Sequence, residues 1–431
     1  MKFYLVSLGC AKNLVDSEKI TEHLYQAGYH ITGRIEDASL VFINTCGFIK
    51  DAKKESIETI FSLIEEKPKD AKIVVFGCLV QRYKEELEKL IPEVDLFLPI
   101  LSYEDFVREI KKYFPSLHRE PESIFKKNIL FTPPSYTYIK IAEGCRNVCS
   151  YCTIPLIRGS LRSFSSDDII HQIEDSLKSG TYEINLIAQD LTAYGKDLQG
   201  TGGLESLLTK ILSIKRDFWI RLLYLYPSRI SQSLIKIISS DTRIVKYIDM
   251  PVQHVSKRLL KLMNRNYTKE ILEKKIEILR AKVPSIAIRT SFMVGFPTES
   301  EDDFQELADF VQQIQFDHLG VFEYSPEEDT EAFLLKPRVP VSLKRKRRKF
   351  IMNIQKKLVR AKNVSLTGRI YPCLIEVPVD EYGAVWTGRI YSQAPDVDGI
   401  VYITGYQASM GRIVNIRIKG SKDYDLLGEC E

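Results

Sequence analysis

Three short apolar runs open the chain, Phe3–Leu8, Leu40–Ile43 and Ile73–Phe76. Each is a short, continuous apolar run of the kind that buried parallel strands show. Between them Ile57, Ile60, Phe61 and Ile64 recur at i, i+3, i+4 and i+7, and Tyr83, Leu87, Leu90 and Ile91 repeat at helical spacing. Asp16 is placed to cap the first helix and Gly28 to end it. The alternation predicts a βαβαβ pattern, hence a small doubly wound α/β domain over residues 1–115.

Residues from about 116 to 135, with Pro115, Pro121, Pro133 and Pro134 in or beside them, read as a linker. Beyond it six strand candidates each precede helical sequence: Tyr136–Ala142, Tyr182–Ala188, Phe218–Leu225, Arg243–Met250, Ile286–Val294 and Phe316–Phe322. Six such β/α units predict an incomplete (β/α)6 barrel across 131–360. Gly200-Thr201-Gly202-Gly203 lacks the Lys-Ser/Thr of a phosphate loop and reads as a surface loop. The cationic run Leu343–Lys349 opens a helical stretch to about Lys362. It is taken as a solvated helix face between domains, with a nuclear-localisation signal as the alternative. In 363–431 the character changes: Ile370–Val377, Ala384–Tyr391, Ile400–Thr404 and Arg412–Ile418 are β-rich and broken by Gly383, Pro395-Asp396, Gly399 and Gly411. A small five-stranded antiparallel β-barrel of the oligonucleotide-fold type is expected there.

With 44% hydrophobic and 27% charged residues in 431, disorder and fibrous repeats are excluded. No apolar run reaches the ~18 residues of a membrane span. Met1–Cys10 looks superficially like a lipoprotein leader, but Phe3–Leu8 is too short for its apolar region and reads as a strand. Eight cysteines in so long a chain are metal ligands or thiols of a reducing compartment, and the protein is expected in the cytoplasm. The net charge is +4, yet 363–431 holds six bases and nine acids, a balance of −3 that leaves +7 elsewhere. A negative terminal barrel is a poor phosphate binder and a suitable receiver of basic protein surface.

The strongest chemical signal is Cys145, Cys149 and Cys152, a C-x3-C-x2-C loop after the first barrel strand. Three soft thiolates suit a four-iron cluster and leave one iron open to a small molecule. Zinc would want a fourth Cys or His nearby, and none follows within eighteen residues, His171 being the first. Cys10, Cys46 and Cys78 form a second, dispersed triplet, separated by 36 and 32 residues, one βα unit each. In a parallel sheet all three emerge at the carboxyl edge, where such sheets hold ligands. Gly9, Gly47 and Gly77 beside them let backbone approach a bulky group. Three ordinary buried thiols are the structural alternative.

The first triplet, with Tyr151 before its last cysteine and a six-unit barrel behind it, resembles the radical S-adenosylmethionine (SAM) superfamily. The whole chain, with two triplets and a terminal barrel, resembles the methylthiotransferases. Ser7–Glu18, Asn44–Ile49, Asp249–His254 and Tyr424–Gly428 are similar to the RimO branch. That branch methylthiolates the β-carbon of one aspartate in ribosomal protein twelve of the small subunit. The tRNA-modifying branch reads differently at the first two places. Ser163-Phe164-Ser165 departs from a common Ser-Arg-Pro and puts only local contacts in doubt.

The resemblance implies an auxiliary four-iron cluster on Cys10, Cys46 and Cys78, a SAM-exchangeable one on Cys145, Cys149 and Cys152, and a terminal TRAM barrel. Two SAM molecules would serve per product, one as methyl donor and one as radical source. Tyr151, Gln189, Gln253, Val294 and Gly295 are the SAM-pocket candidates, each as readily structural. No side chain is expected as acid or base, because an unactivated carbon yields its hydrogen only to a radical. A reductant such as flavodoxin or ferredoxin is implied. The rival readings are a tRNA methylthiotransferase acting on isopentenyladenosine and a non-catalytic two-cluster electron carrier. His254 reads as a hydrogen-bonded structural residue rather than a site group, and Cys373 and Cys430 as inert.

Overall fold

The computed structural model describes residues 1–115, 129–200, 202–405 and 409–431. Most of the predicted linker, and Thr201 of the glycine-rich loop, lie outside the described residues. The chain forms two compact units, described separately. The first comprises Met1–Phe131 with Gly144–Arg146 and Thr153–Ser160; the second comprises Thr132–Glu143, Asn147–Cys152 and Leu161–Glu431.

In the first unit β1 (Lys2–Ser7), β2 (His30–Ile31), β3 (Leu40–Thr45), β4 (Lys72–Gly77) and β5 (Leu96–Leu98) form a parallel sheet in the order β2-β1-β3-β4-β5. Helices α1 (Ala11–Gln26), α2 (Lys50–Glu66), α3 (Cys78–Leu90) and α4 (Tyr103–Tyr113) accompany it, as does the short α5 (Ile154–Arg158). The strand period of two sorts β3 cleanly: Leu40 and Phe42 pack with Phe3, Leu24 and Phe106, while Val41 and Ile43 pack with Ile60, Val75 and Leu79. Strands β2 and β5 escaped the sequence reading because two or three residues make no apolar run.

Asp16 does not cap α1. That helix begins directly after Cys10, which gives it no side-chain cap, so Asp16 lies inside it. Gly28 does end it, at φ +86°, with Gly28 N–H donating to the Tyr25 carbonyl at 3.1 Å and Tyr29 N–H to Leu24 at 3.0 Å. This is the paired closure that a left-handed residue allows.

The second unit holds six parallel strands in sequential order: β6 (Tyr136–Lys140), β9 (Glu183–Ile187), β10 (Trp219–Leu222), β11 (Ile244–Asp249), β12 (Ala287–Val294) and β13 (His318–Glu323). A ribbon of β7 (Ala142–Glu143) and β8 (Arg162–Ser163) follows the first of them. Helices α6 (Ser166–Lys178), α7 (Leu204–Leu212), α8 (Gln232–Ser240), α9 (Lys257–Leu262), α10 (Lys269–Lys282), α11 (Glu301–Ile314) and α12 (Glu331–Leu334) alternate with the strands, and α13 (Val341–Ser365) closes the series. Serines at 165, 231, 256 and 300 cap α6, α8, α9 and α11. Thus Ser165, one of the departures from the family pattern, has a local role of its own. Ser163 likewise bonds Asp197 at 2.6 Å.

The terminal segment closes into a barrel in the order β14-β15-β16-β18-β17: β14 (Ile370–Pro378), β15 (Val385–Ile390), β16 (Val401–Thr404), β17 (Ile413–Lys422) and β18 (Asp425–Cys430). One pair, β16 with β18, is parallel because the last strand inserts between β16 and β17. Strand β18 was not assigned from sequence, since its Leu426 is buried while Leu427 is exposed and Gly428 adds no side chain. Cys373 lies fully buried in this small core.

The loop from Tyr391 to Asp398 meets side chains from five of the six strands of the large sheet, and Arg389 just before it meets the sixth. Tyr138 donates to Asp396 at 2.8 Å and Tyr247 to Asp398 at 2.6 Å. Asp398 also pairs with His318 and Arg289, and Arg221 donates to the Tyr391 carbonyl at 2.8 Å. Arg389 bridges Glu376 and Glu183, and Glu183 also holds Arg221. The raw −3 of the segment is therefore misleading. Glu376, Asp396 and Asp398 are engaged inward together with Arg389, leaving six acids against five bases elsewhere on this barrel. Steering of a basic protein by the barrel is weaker than its formal charge implies.

Candidate functional site

Cys10, Cys46 and Cys78 follow β1, β3 and β4, three adjacent strands of the parallel sheet, directly at or just beyond their carboxyl ends. The loops carrying them are drawn together by amides. Asn13 donates to the carbonyls of Leu8 at 3.0 Å and Thr45 at 3.2 Å, and Asn44 donates to the Asn13 carbonyl at 2.9 Å. Two glycines permit the approach: a Cβ on Gly9 would sit 2.8 Å from the Cys46 Cβ, and one on Gly47 2.8 Å from the Cys78 carbonyl oxygen. Cys46 and Cys78 are buried, whereas Cys10 is exposed.

One cation enters this cluster. Arg158, at the end of α5 and 3% exposed, pairs with Asp16 at 2.6 Å and donates to Asn13 Oδ1 at 2.6 Å and to Cys78 Sγ at 3.2 Å. Burial pushes the Cys46 thiol up to about 11 and raises that of Cys78, where the Arg158 charge acts in the opposite direction. Nothing local pointed Arg158 at a thiol 80 residues away.

Among the described residues no three His, Cys, Asp or Glu side chains could hold a single metal ion. An all-thiol donor set on a glycine-lined edge is of the soft kind that iron–sulfur clusters use.

In the second triplet Cys145 belongs to the first unit, and its N–H donates to the Gly159 carbonyl at 3.1 Å. Cys149 and Cys152 belong to the second unit, in a turn where Cys152 N–H donates to the Cys149 carbonyl at 3.1 Å. That turn is fastened on several sides. Asn147 bonds Asp190 at 2.9 Å and Arg229 at 2.7 Å, while Ser150 donates from its hydroxyl to Leu262 at 2.6 Å. The Ser150 carbonyl also accepts from Ala332 N–H at 2.8 Å. Sequence reasoning missed Asn147 and Ser150, whose only signal was their place between the cysteines.

The SAM-pocket candidates separate on inspection. Tyr151 sets its ring edge-on to Phe296, at 6.5 Å between centroids. Gln189, just beyond β9, donates to Glu143 at 2.6 Å, yet its buried Oε1 has no partner among the described residues. Gln253 adopts φ +72° and is committed through its backbone, donating to Ser291 and accepting from Met293, both at 2.7 Å. Val294 is fully buried at the end of β12. Gly295 N–H bonds the Glu299 carboxylate, and a Cβ there would strike Lys344. His254 is buried and neutral, its pKa lowered to about 3 by burial, with Nδ1 accepting from Ser256 N–H at 3.0 Å. It is a structural histidine.

Three family models match successive parts of the chain: Uncharacterized protein family UPF0004 over residues 2–99, the Radical SAM superfamily over 139–311 and the TRAM domain over 367–430. The fold agrees with the second. The radical SAM methyltransferase TsrM from Kitasatospora setae superposes with a TM-score of 0.55 at 13% identity, covering 75% of this chain and 76% of that one. The six-stranded sheet and these models define a radical SAM enzyme. At 44% identity the chain is similar to the ribosomal protein uS12 methylthiotransferase RimO of Acetivibrio thermocellus, covering 99% of this chain and 98% of that protein. It is also 44% identical to the protein of the same name from Aquifex aeolicus, over 99% and 97% of the two chains. The chain belongs to the RimO family of radical SAM methylthiotransferases.

Proposed function

We propose that this protein methylthiolates the β-carbon of an aspartate in small-subunit ribosomal protein uS12. The observation that carries the reading is similarity across almost the full length of both chains to proteins named for that activity. In this reading Cys10, Cys46 and Cys78 hold an auxiliary four-iron cluster and Cys145, Cys149 and Cys152 a second, SAM-exchangeable one. The domains are divided as 1–115, 131–360 and 363–431. When bound, the two clusters and SAM supply the methyl group, the sulfur and the radical that takes hydrogen from an unactivated carbon.

The chain's own residues position these groups. Asn13 and Asn44 fix the strand-end loops of the auxiliary site, and Arg158 places a buried positive charge beside Cys78, favouring its thiolate. Asn147 and Ser150 fix the other cysteine turn. The unpartnered Oε1 of Gln189 is an acceptor at the carboxyl edge of the sheet, ready for a donor from bound SAM. The reductant is a flavodoxin or ferredoxin, and the setting is the cytoplasm. No helix among the described residues is long and apolar enough to cross a membrane.

Anaerobically reconstituted enzyme, incubated separately with uS12 and with isopentenyladenosine-containing tRNA, tests the proposal. A methylthio mass gain on uS12 is expected. A gain on tRNA alone would overturn it, and a failure to form 5′-deoxyadenosine would return the protein to the electron-carrier class.

A further inference from the structure

Helix α13 carries ten cations and no acid in its 25 residues. Lys344 and Arg347 turn inward, Lys344 to the Tyr324 carbonyl at 2.7 Å and Arg347 to Glu299 at 2.8 Å. Arg348, Lys356 and Lys362 are also engaged, with the Val321 carbonyl, Asp423 and Asp317 respectively. The other five differ. Arg345, Lys346, Lys349, Lys357 and Arg360 are exposed, and none makes a hydrogen bond or ion pair among the described residues.

At about 100° per residue Lys346, Lys349, Lys357 and Arg360 fall on the face away from the buried line of Ile351, Gln355 and Val359, and Arg345 lies at the border of that face. From Arg345 to Arg360 the stripe runs about 22 Å at 1.5 Å per residue. A helix that needs only solvation mixes its charges, as α10 does with Glu270, Glu273 and Glu277 among its lysines. In α13 Arg345 and Lys349, and Lys356 and Arg360, are like-charged neighbours at i,i+4, each pair costing a few tenths of a kcal/mol. The helix itself holds no acid to relieve that cost, although Asp423 pairs with Lys356 from outside it.

We propose that this face binds the phosphate backbone of RNA around the protein substrate, so that the enzyme engages uS12 in an RNA-bound setting. The inference rests on the proposed function. Ribosomal proteins are usually basic, and an all-cation helix repels them, whereas a row of phosphates complements it. The closed terminal barrel, nearly neutral outside its inward pairs, supplies no comparable surface. The contact reads charge rather than base identity, since lysines and arginines on one exposed helix face meet phosphates in any sequence.

The test uses full-length, cluster-loaded enzyme and a labelled 20-nucleotide unstructured RNA, followed by fluorescence anisotropy from 50 to 200 mM salt. If five phosphates are neutralised on a single strand, log K should fall with log salt at a slope of about −3.5. A variant combining Lys346→Gln, Lys349→Gln, Lys357→Gln and Arg360→Gln should bind at least tenfold more weakly, with a shallower slope. Its iron content and its turnover of free uS12 should be unchanged. Equal RNA binding by the variant, or no binding by the wild type at 50 mM salt, overturns the proposal. So does tighter wild-type binding to polyglutamate or to vesicles rich in anionic lipid than to RNA. Wild-type enzyme that leaves uS12 unmodified defeats the proposed function alone, because anisotropy reads the RNA contact without turnover.

Discussion

The two cysteine triplets are built in opposite ways. Cys10, Cys46 and Cys78 are strangers in sequence, brought to one sheet edge by three parallel strands and locked there by Asn13 and Asn44. Cys145, Cys149 and Cys152 are neighbours in one loop, partly exposed, and held by residues between them. The assembled triplet buries two of its thiols, and the Arg158 guanidinium partly offsets the cost of burying Cys78. The local triplet stays partly exposed, which agrees with the SAM-exchangeable role proposed for it.

The sharpest break of this comparison is Cys46→Ala. Iron loading should fall by about half and methylthiolation should vanish, while some SAM cleavage persists at the loop triplet. Iron analysis beside product mass spectrometry reads both, and surviving methylthiolation would deny the assembled triplet its role. Arg158→Met should come next. It removes the guanidinium from Asp16, which is 14% exposed and keeps the Tyr103 hydroxyl at 3.2 Å, and should cost about 1.5–3 kcal/mol in denaturant unfolding of the apoprotein, as loss of a hydrogen bond to a charged group does. An Arg158→Met protein as stable as the parent would show that the pair is idle.

A gentler probe is Gly47→Ala, whose Cβ would meet the backbone of Cys78 and Leu79 at 2.8 Å. Several-fold weaker iron loading is expected, whereas Gly33→Ala, with nothing within 4 Å, should load normally. Similar loading by the two would mean that the strand-end loops yield easily. The smallest effect is assigned to Ser150→Ala, which deletes the 2.6 Å bond to Leu262. About 1 kcal/mol of stability should be lost, with faster SAM turnover decay and an intact assembled triplet.

The strands bearing both triplets were legible because buried parallel strands write themselves as unbroken apolar runs, and the cysteines because their spacing matched either one loop or one βα unit. Short strands such as β2 and β5 left no periodic trace. Arg158 was invisible for another reason: its partner Asn13 is 145 positions away, and no local pattern encodes such a meeting. Formal charge misled at the terminal barrel, since a sum over residues cannot tell Asp398, 1% exposed, from an acid facing water. Asp16 failed as a cap because the helix started earlier than its polar residue suggested.

The fitted loop between Tyr391 and Asp398 has a consequence for modular inheritance. Glu183, Arg221, Tyr247 and Arg289 each find a partner on the terminal barrel or the loop it carries. Cutting the gene near residue 363 would bare a floor of ionised groups beneath the catalytic sheet. The barrel thus behaves as a keystone of the enzyme's base, and evolution could exchange it only together with the strand residues that grip it.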